Sequence, residues 1–237
     1  MTDGYGSVAT RPVATLDDTA RGDFIIKVYQ HLMGAIIAFV AIEALLITTG
    51  IAEAIYDFVS SGAAWLLILG AFMVISWMAT SAAHDILNPQ RQYLGLFGMA
   101  AGEALIFAPL LHYFFEIAND GATTVGAAAV ITALGFGGLS VVAFTTRKDL
   151  SFMRPMLIWG GVAALVLILA AVLFGLSLGI WFSVGMIALA GGSILYQTQT
   201  IMRRYPAEAY VGAAVQLFAS VMMLFWYVLR LVGALRN

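Results

Sequence analysis

Residues 155–174 read PMLIWGGVAALVLILAAVLF, and residues 178–197 read LGIWFSVGMIALAGGSILYQ. Neither run contains a charged residue, and each has the length of about 20 apolar residues that a helix needs to cross a bilayer. Only Gly175, Leu176 and Ser177 separate the two runs, so the helices must form an antiparallel hairpin. The apolar residues are continuous rather than alternating, which favours helices over a β-barrel because spanning backbone must satisfy its own hydrogen bonds.

Five further apolar runs lie upstream and downstream of this hairpin. The chain is 62% hydrophobic and 10% charged, whereas soluble domains carry roughly 25% charged residues. We therefore predict an all-α membrane protein in which residues 24–237 form one domain of seven transmembrane helices. Residues 1–23 are polar and acidic, and we expect them to form a disordered or surface-lying N-terminal tail. The predicted spans are 29–49, 64–83, 93–115, 123–145, 155–174, 178–197 and 209–232.

Positively charged residues predict the orientation of these spans. Nine of the Lys and Arg residues lie in the N-terminal segment or in the second, fourth and sixth connections: Arg11, Arg21, Lys27, Arg91, Arg147, Lys148, Arg154, Arg203 and Arg204. The first, third and fifth connections contain none. Because basic residues accumulate on the cytoplasmic side, the N-terminus is predicted to be cytoplasmic and the C-terminus external.

Three ionisable residues fall at membrane depth, where charge is costly and often functional. Glu43 and Arg230 are predicted at similar depth, so a buried ion pair between them is one hypothesis; snorkelling of Arg230 to the surface is another. Glu103 lies near the middle of the third span without an obvious cationic partner. It could relay a proton or bind a cation, or it could remain an uncharged acid that bonds to a neighbouring helix.

Recognisable catalytic motifs are missing from the sequence. There is no nucleophile elbow, HExxH or P-loop, the chain has no Cys, and His31, His84 and His112 lie far apart. We therefore predict a protein that is not an enzyme, without a cofactor or metal. Basic runs are too short to suggest nucleic-acid binding, so the predicted partners are the lipid bilayer and other membrane proteins.

Three segments carry a resemblance to a known family. The loop FTTRKDLS at 144–151 contains Arg147, Lys148 and Asp149, and it is followed by YQTQTI at 196–201 and by the last span, YVGAAVQLFASVMMLFWYVLRLVG, at 210–233. Together they resemble the Bax inhibitor (transmembrane Bax inhibitor motif) family, most of all its bacterial YccA-like branch. The resemblance implies six helices packed around the C-terminal helix and, for this branch, residence in a bacterial inner membrane.

The same resemblance implies two kinds of function. Some members are associated with a pH-sensitive calcium leak or, in eukaryotes, with protection from cell death, and bacterial relatives with modulation of a membrane-anchored ATP-dependent protease. In calcium-leaking members two Asp residues form the sensor pair, and those positions are Gln197 and Ser220 here. Neither side chain can titrate as a carboxylate does.

The missing carboxylates favour one function over the other. We expect a Bax-inhibitor-like membrane protein that binds and modulates other membrane proteins, either a membrane protease or a larger inner-membrane complex of which it is a small accessory subunit. The alternative is a leak channel or transporter for calcium, protons or another cation. That alternative would depend on Glu103, with Gln197, Gln216 and Ser220 as neutral oxygen ligands.

Overall fold

A computed structural model describes residues 11–60, 64–146 and 148–236. These segments are almost entirely helical and contain no β-strand, apart from an isolated antiparallel bridge between Pro12 and Pro206. The helices are α1 (Asp18–Thr48), α2 (Ile51–Val59), α3 (Ala64–Ala83), α4 (Pro89–His112), α5 (Gly121–Thr145), α6 (Met153–Phe174), α7 (Ile180–Arg204) and α8 (Tyr210–Arg236). A π-helical turn, Tyr113–Ile117, extends α4.

Seven of these helices, all except α2, are long and apolar enough to cross a membrane. This result confirms the predicted all-α membrane protein with seven transmembrane helices. The observed helices begin and end within a few residues of the predicted spans at most ends. The largest difference is at α1, which begins at Asp18 rather than near Tyr29.

The C-terminal helix α8 lies at the centre of the bundle. It packs directly on α1, α3, α4, α5 and α7, while α6 reaches it through a small cluster of Ala164, Met186 and Tyr227. The predicted arrangement of six helices around the last one is therefore confirmed. Helix α4 also lies in the interior. Of its most apolar 18-residue stretch 67% is buried, compared with 56% for α8, 11% for α3 and 6% for α6.

Local sequence signals explain where the helices begin and end. The Asp17 side chain accepts a hydrogen bond from the Ala20 amide at 2.7 Å and so caps the N-terminus of α1. Asn88 caps α4 in the same way, with Pro89 at the first helical position, where a missing amide is tolerated. Gly175 ends α6 with φ of 66°, a left-handed conformation that glycine adopts without steric cost. This cap allows the short α6–α7 hairpin that the sequence predicted.

Part of the predicted N-terminal tail, residues 11–23, lies within the described segments. The Val13 side chain is fully buried, and its amide donates a hydrogen bond to the Tyr205 carbonyl at 2.8 Å. The segment is therefore held on the bundle at Val13, and α1 begins at Asp18 behind the Asp17 cap. The first ten residues lie outside the described part of the chain.

The connection between the first two spans contains a helix that the sequence analysis did not predict. Helix α2 has nine residues, too few to cross a membrane, and it buries Ala52 completely. The Tyr56 ring lies against the His112 imidazole of α4, with centroids 5.3 Å apart. Glu53 and Asp57 therefore belong to an ordered helix on α4 rather than to a loop.

Helices α3 and α4 approach most closely at Gly95. A Cβ atom added to Gly95 would lie 2.5 Å from the Ala79 carbonyl oxygen and 2.5 Å from the Ala83 amide nitrogen. Both are backbone atoms that cannot move aside without shifting α3. One turn further along α4, a Cβ on Gly98 would come no closer than 4.0 Å to the Ala79 Cβ. The contact between these helices therefore requires glycine at position 95 but not at 98.

We expect Gly95→Ala to destabilise the protein by about 1–3 kcal/mol, because the added methyl group overpacks a backbone-to-backbone contact. The matched change Gly98→Ala, on the same helix, is expected to be neutral. Thermal unfolding of both purified variants in the same detergent provides the measurement. Equal unfolding midpoints for the two variants would contradict the close approach at Gly95.

Candidate functional site

The two positions of the family sensor pair lie next to each other. Gln197 of α7 and Ser220 of α8 are within hydrogen-bond distance, with the Ser220 hydroxyl donating to the Gln197 Oε1 at 2.9 Å. Ser220 is 5% exposed. The structure therefore brings these predicted residues together, and they form a neutral hydrogen bond at the contact between the two helices.

A second glutamine in the same motif holds the loop between α5 and α6 in place. Gln199 is buried, and its side chain contacts the loop backbone in both directions: Oε1 accepts from the Leu150 amide at 2.8 Å, and Nε2 donates to the Lys148 carbonyl at 2.7 Å. Arg203 also reaches the Lys148 carbonyl, at 3.4 Å. The family loop motif is thus fixed to α7 through its main chain.

The side chains of the loop form a small exposed network. Asp149 accepts hydrogen bonds from the Ser151 amide at 2.9 Å and the Ser151 hydroxyl at 2.5 Å. These bonds, helped by the charges of Arg203 and Arg204, hold the pKa of the Asp149 carboxyl below its usual value. Arg204 donates to the Ser151 hydroxyl at 2.9 Å. Arg147, the remaining predicted residue of the motif, lies outside the described residues.

His84 occupies the end of α3 and connects it to the turn before α8. Its Nδ1 lies 2.7 Å from the Thr80 carbonyl and its Nε2 lies 3.1 Å from the Tyr205 hydroxyl. Because a carbonyl can only accept, Nδ1 carries a proton, and Nε2 and the Tyr205 hydroxyl form the second hydrogen bond. Burial, followed by the nearby Tyr196, raises the pKa of Tyr205 to about 12, so its hydroxyl keeps its proton. Asp85 turns away and pairs with Arg91 at 3.0 Å.

Glu103 lines a large cavity that is bordered by α3, α4, α6 and α8. The cavity has a volume of about 930 Å³ and is partly open. Glu103 is 6% exposed, and none of the described residues donates a hydrogen bond to its carboxyl group. Arg230 lines the same cavity further along α8. Two of the three predicted intramembrane residues therefore share one cavity.

The hypothesis of an ion pair between Glu43 and Arg230 is wrong. Glu43 is 4% exposed, and neither of its carboxyl oxygens has a hydrogen-bond partner within the described segments. It follows Phe39 on the face of α1 that packs on Phe107 of α4, with ring centroids 5.2 Å apart. Arg230 points instead into the cavity between α3 and α6. The two residues therefore have different surroundings and form no ion pair.

Sequence reasoning missed Gln199, Tyr205 and the cavity itself. Gln199 lies two residues after Gln197, and its bonds reach the loop about 50 residues earlier in the chain, so no local pattern indicates them. The pairing of His84 with Tyr205 joins residues far apart in sequence, and no local pattern indicates it. Within residues 11–60, 64–146 and 148–236, no three His, Cys, Asp or Glu side chains are grouped as metal ligands would be.

Comparison with known proteins identifies a matching family and several similar proteins. A sequence model of the family described as "Inhibitor of apoptosis-promoting Bax1" matches residues 21–237. An uncharacterized protein of Pseudomonas aeruginosa is 33% identical over 126 residues, which cover 53% of this chain and 56% of that protein. The Escherichia coli protein named "Modulator of FtsH protease YccA" is 34% identical over 103 residues, 43% of this chain and 47% of its own length.

A plant protein matches over a longer region at lower identity. "Protein LIFEGUARD 4" of Arabidopsis thaliana is 26% identical over 220 residues, which cover 90% of this chain and 85% of the plant protein. By contrast, the chain spans only about half the length of the two bacterial relatives. The family match covers nearly all of the chain, including the loop motif, the Gln197–Ser220 contact and the central helix α8. The chain therefore belongs to the Bax inhibitor family of integral membrane proteins.

Proposed function

We propose that this protein binds and modulates other membrane proteins, with a membrane-anchored protease of the FtsH type as the first candidate partner. The observation that carries the proposal is the neutral hydrogen bond between Gln197 and Ser220 at the sensor-pair positions. Without carboxylates there, the chain retains the family fold but lacks the groups that a pH-gated calcium leak would titrate. Partner binding is the family function that does not require them.

Two further observations support the proposal. The Escherichia coli relative bears the name of a protease modulator. In addition, the loop of residues 148–151 has a fixed shape, since Gln199 bonds to its backbone on both sides, and it presents Lys148 and Asp149 at an exposed surface. A rigid loop with exposed charges loses little conformational entropy when a partner binds.

The proposal includes an orientation and a location. Basic residues in the even-numbered connections favour a cytoplasmic N-terminus and a C-terminus on the external, periplasmic side of a bacterial inner membrane. Acidic residues on α2 and around Asp120, at the other end of the bundle, agree with this assignment. The loop of residues 148–151 would then face the cytoplasm.

A cation leak is a second candidate, favoured by the Glu103 carboxyl group in the cavity. Calcium prefers 6–8 oxygen ligands, usually including several carboxylates. The described residues that line the cavity are mainly apolar and include one carboxyl group, so the cavity fits calcium poorly. Proton movement through Glu103 would remain compatible with such a lining.

Affinity purification of the full-length protein from native membranes in mild detergent tests the main proposal. We expect a membrane protease or another inner-membrane complex to co-purify, identified by mass spectrometry. An unrelated seven-helix protein with the same tag, expressed at the same level, is the control. Recovery of the protein alone, both in detergent and after crosslinking in intact membranes, would contradict the proposal.

Calcium flux into liposomes tests whether the neutral residues Gln197 and Ser220 abolish a pH-dependent calcium leak. We expect the wild-type protein to give no pH-dependent calcium flux, because Gln197 and Ser220 do not titrate. The double variant Gln197→Asp with Ser220→Asp is expected to acquire pH dependence, since neighbouring carboxylates share a proton. Wild-type flux that changes with pH, and that disappears in Glu103→Gln, would favour the cation leak instead.

Single cysteines test the orientation, because the native chain has none. Glu208→Cys and Asp57→Cys place thiols at exposed positions at opposite ends of the bundle. A membrane-impermeant maleimide added to intact spheroplasts is expected to label position 57 and not position 208. The reverse pattern, or equal labelling before lysis, would overturn the assignment.

A further inference from the structure

The cavity that contains Glu103 lies between two helices that pack on different neighbours. Helix α3 packs on α4 and α8, whereas α6 packs on α7. The space between them is a cleft whose floor is formed by α4 and α8 and whose volume is about 930 Å³. This volume is within the range of roughly 300–1,000 Å³ that is typical of small-molecule sites. Because α3 and α6 are the least buried spans, the cleft is positioned to open toward lipid.

The floor of the cleft contains one ionisable group near mid-membrane. Glu103 is more than nine-tenths buried, it lines the cleft, and none of the described residues bonds to its carboxyl group. A carboxyl group without a partner at this depth is costly. A ligand that donates a hydrogen bond or carries a positive charge would remove that cost.

The walls around Glu103 are aromatic and sulphur-rich. Phe107 and Trp226 meet edge to face with ring centroids 4.9 Å apart, and Trp65 stacks on Trp226 at 5.8 Å. Met99 and Met222 also line the cleft. Aromatic faces attract cations, and methionine adapts to apolar groups of irregular shape. The combination of a carboxylate, aromatic rings and methionines is suited to an organic ammonium ion.

We propose that the cleft between α3 and α6 is a binding site for an amphipathic amine. Its ammonium group would pair with Glu103, and its hydrocarbon body would lie along the aromatic and methionine side chains. The ligand is a lipophilic amine that first partitions into the bilayer, which means a protonated amine attached to an apolar body.

The Glu103 carboxyl group disfavours an apolar partner helix, which would leave it buried without a hydrogen-bond donor. The cleft also disfavours a bare metal ion, because Glu103 is the only carboxylate among the described residues that line it and a hard cation requires several oxygen ligands. A small organic molecule fits both the volume and the lining.

The position of Arg230 disfavours an anionic ligand. Phe107 and Trp226 lie at the same level, while Glu103 lies one turn before Phe107 and Arg230 one turn after Trp226. The two charged residues are therefore separated by about 12 Å along the helix axes. An anionic headgroup at Arg230 would leave Glu103 buried and unpaired, whereas an amine at Glu103 keeps its charge away from Arg230.

Binding of tritiated dodecylamine to the full chain in phosphatidylcholine nanodiscs tests the proposal. We expect saturable binding above that of empty nanodiscs, and binding weaker by about tenfold or more in Glu103→Gln, since loss of an ion pair of this kind changes affinity on that scale. The matched control is Glu43→Gln, which alters the other buried glutamate outside the cleft and should bind as the wild type does. Ala219→Phe, which fills the cleft and leaves Glu103 in place, should also abolish binding.

Unlabelled competitors with the same tail identify the headgroup. Dodecyltrimethylammonium should compete, whereas dodecanol and dodecanoate should not. Equal competition by dodecanol would mean an apolar cavity without amine recognition, and preferential binding of dodecanoate that is lost in Arg230→Gln would mean an anionic amphiphile; either overturns the proposal. Loss of binding in Glu43→Gln to the same extent, or binding no greater than that of empty nanodiscs, would overturn it too. None of these results depends on whether a protease partner is found.

Discussion

Hydrocarbon offers no hydrogen bonds, so each polar side chain inside the bundle depends on a partner within the protein. Several contacts between helices in this structure meet that requirement. Gln197 and Ser220 join α7 to α8, and His84 connects α3 to Tyr205. Gln199, near the end of α7, likewise has partners within the protein, because it bonds to the backbone of the loop between α5 and α6. The polar side chains therefore specify how apolar helices are oriented, which apolar packing alone would leave undetermined.

The two buried glutamates depart from this rule in different ways. Glu43 is buried on the face of α1 that packs on α4, outside the cavity that Glu103 lines. Glu103 instead borders a cavity of about 930 Å³. Burying an acid in a packed interface reduces the stability of the fold. Beside an open cavity, a bound ligand can offset the free-energy cost of that burial. This difference in surroundings, rather than depth or residue type, separates the two.

The sequence predicted the helices well because hydropathy and charge depend only on position along the chain. The spans, the α6–α7 hairpin and the central last helix followed from apolar runs and a family motif. The prediction of an ion pair between Glu43 and Arg230 was wrong because the sequence indicates the depth of a residue but not its direction around the helix axis. Arg230 shares a face of α8 with Trp226 and Met223, toward α3 and α6. The cavity and the bonds of Gln199 involve side chains distant in sequence, so no local pattern encodes them.

The bond between the Val13 amide and the Tyr205 carbonyl has a consequence for biogenesis. Val13 leaves the ribosome before α1, and Tyr205 emerges only after six spans have been made. The N-terminal segment therefore lacks its final partner until most of the spans have been inserted. Docking of Val13 beside the α7–α8 turn, where Pro12 and Pro206 also meet, then occurs as a late assembly step. A chain that stalls before α7 would leave this segment undocked and open to proteolytic quality control.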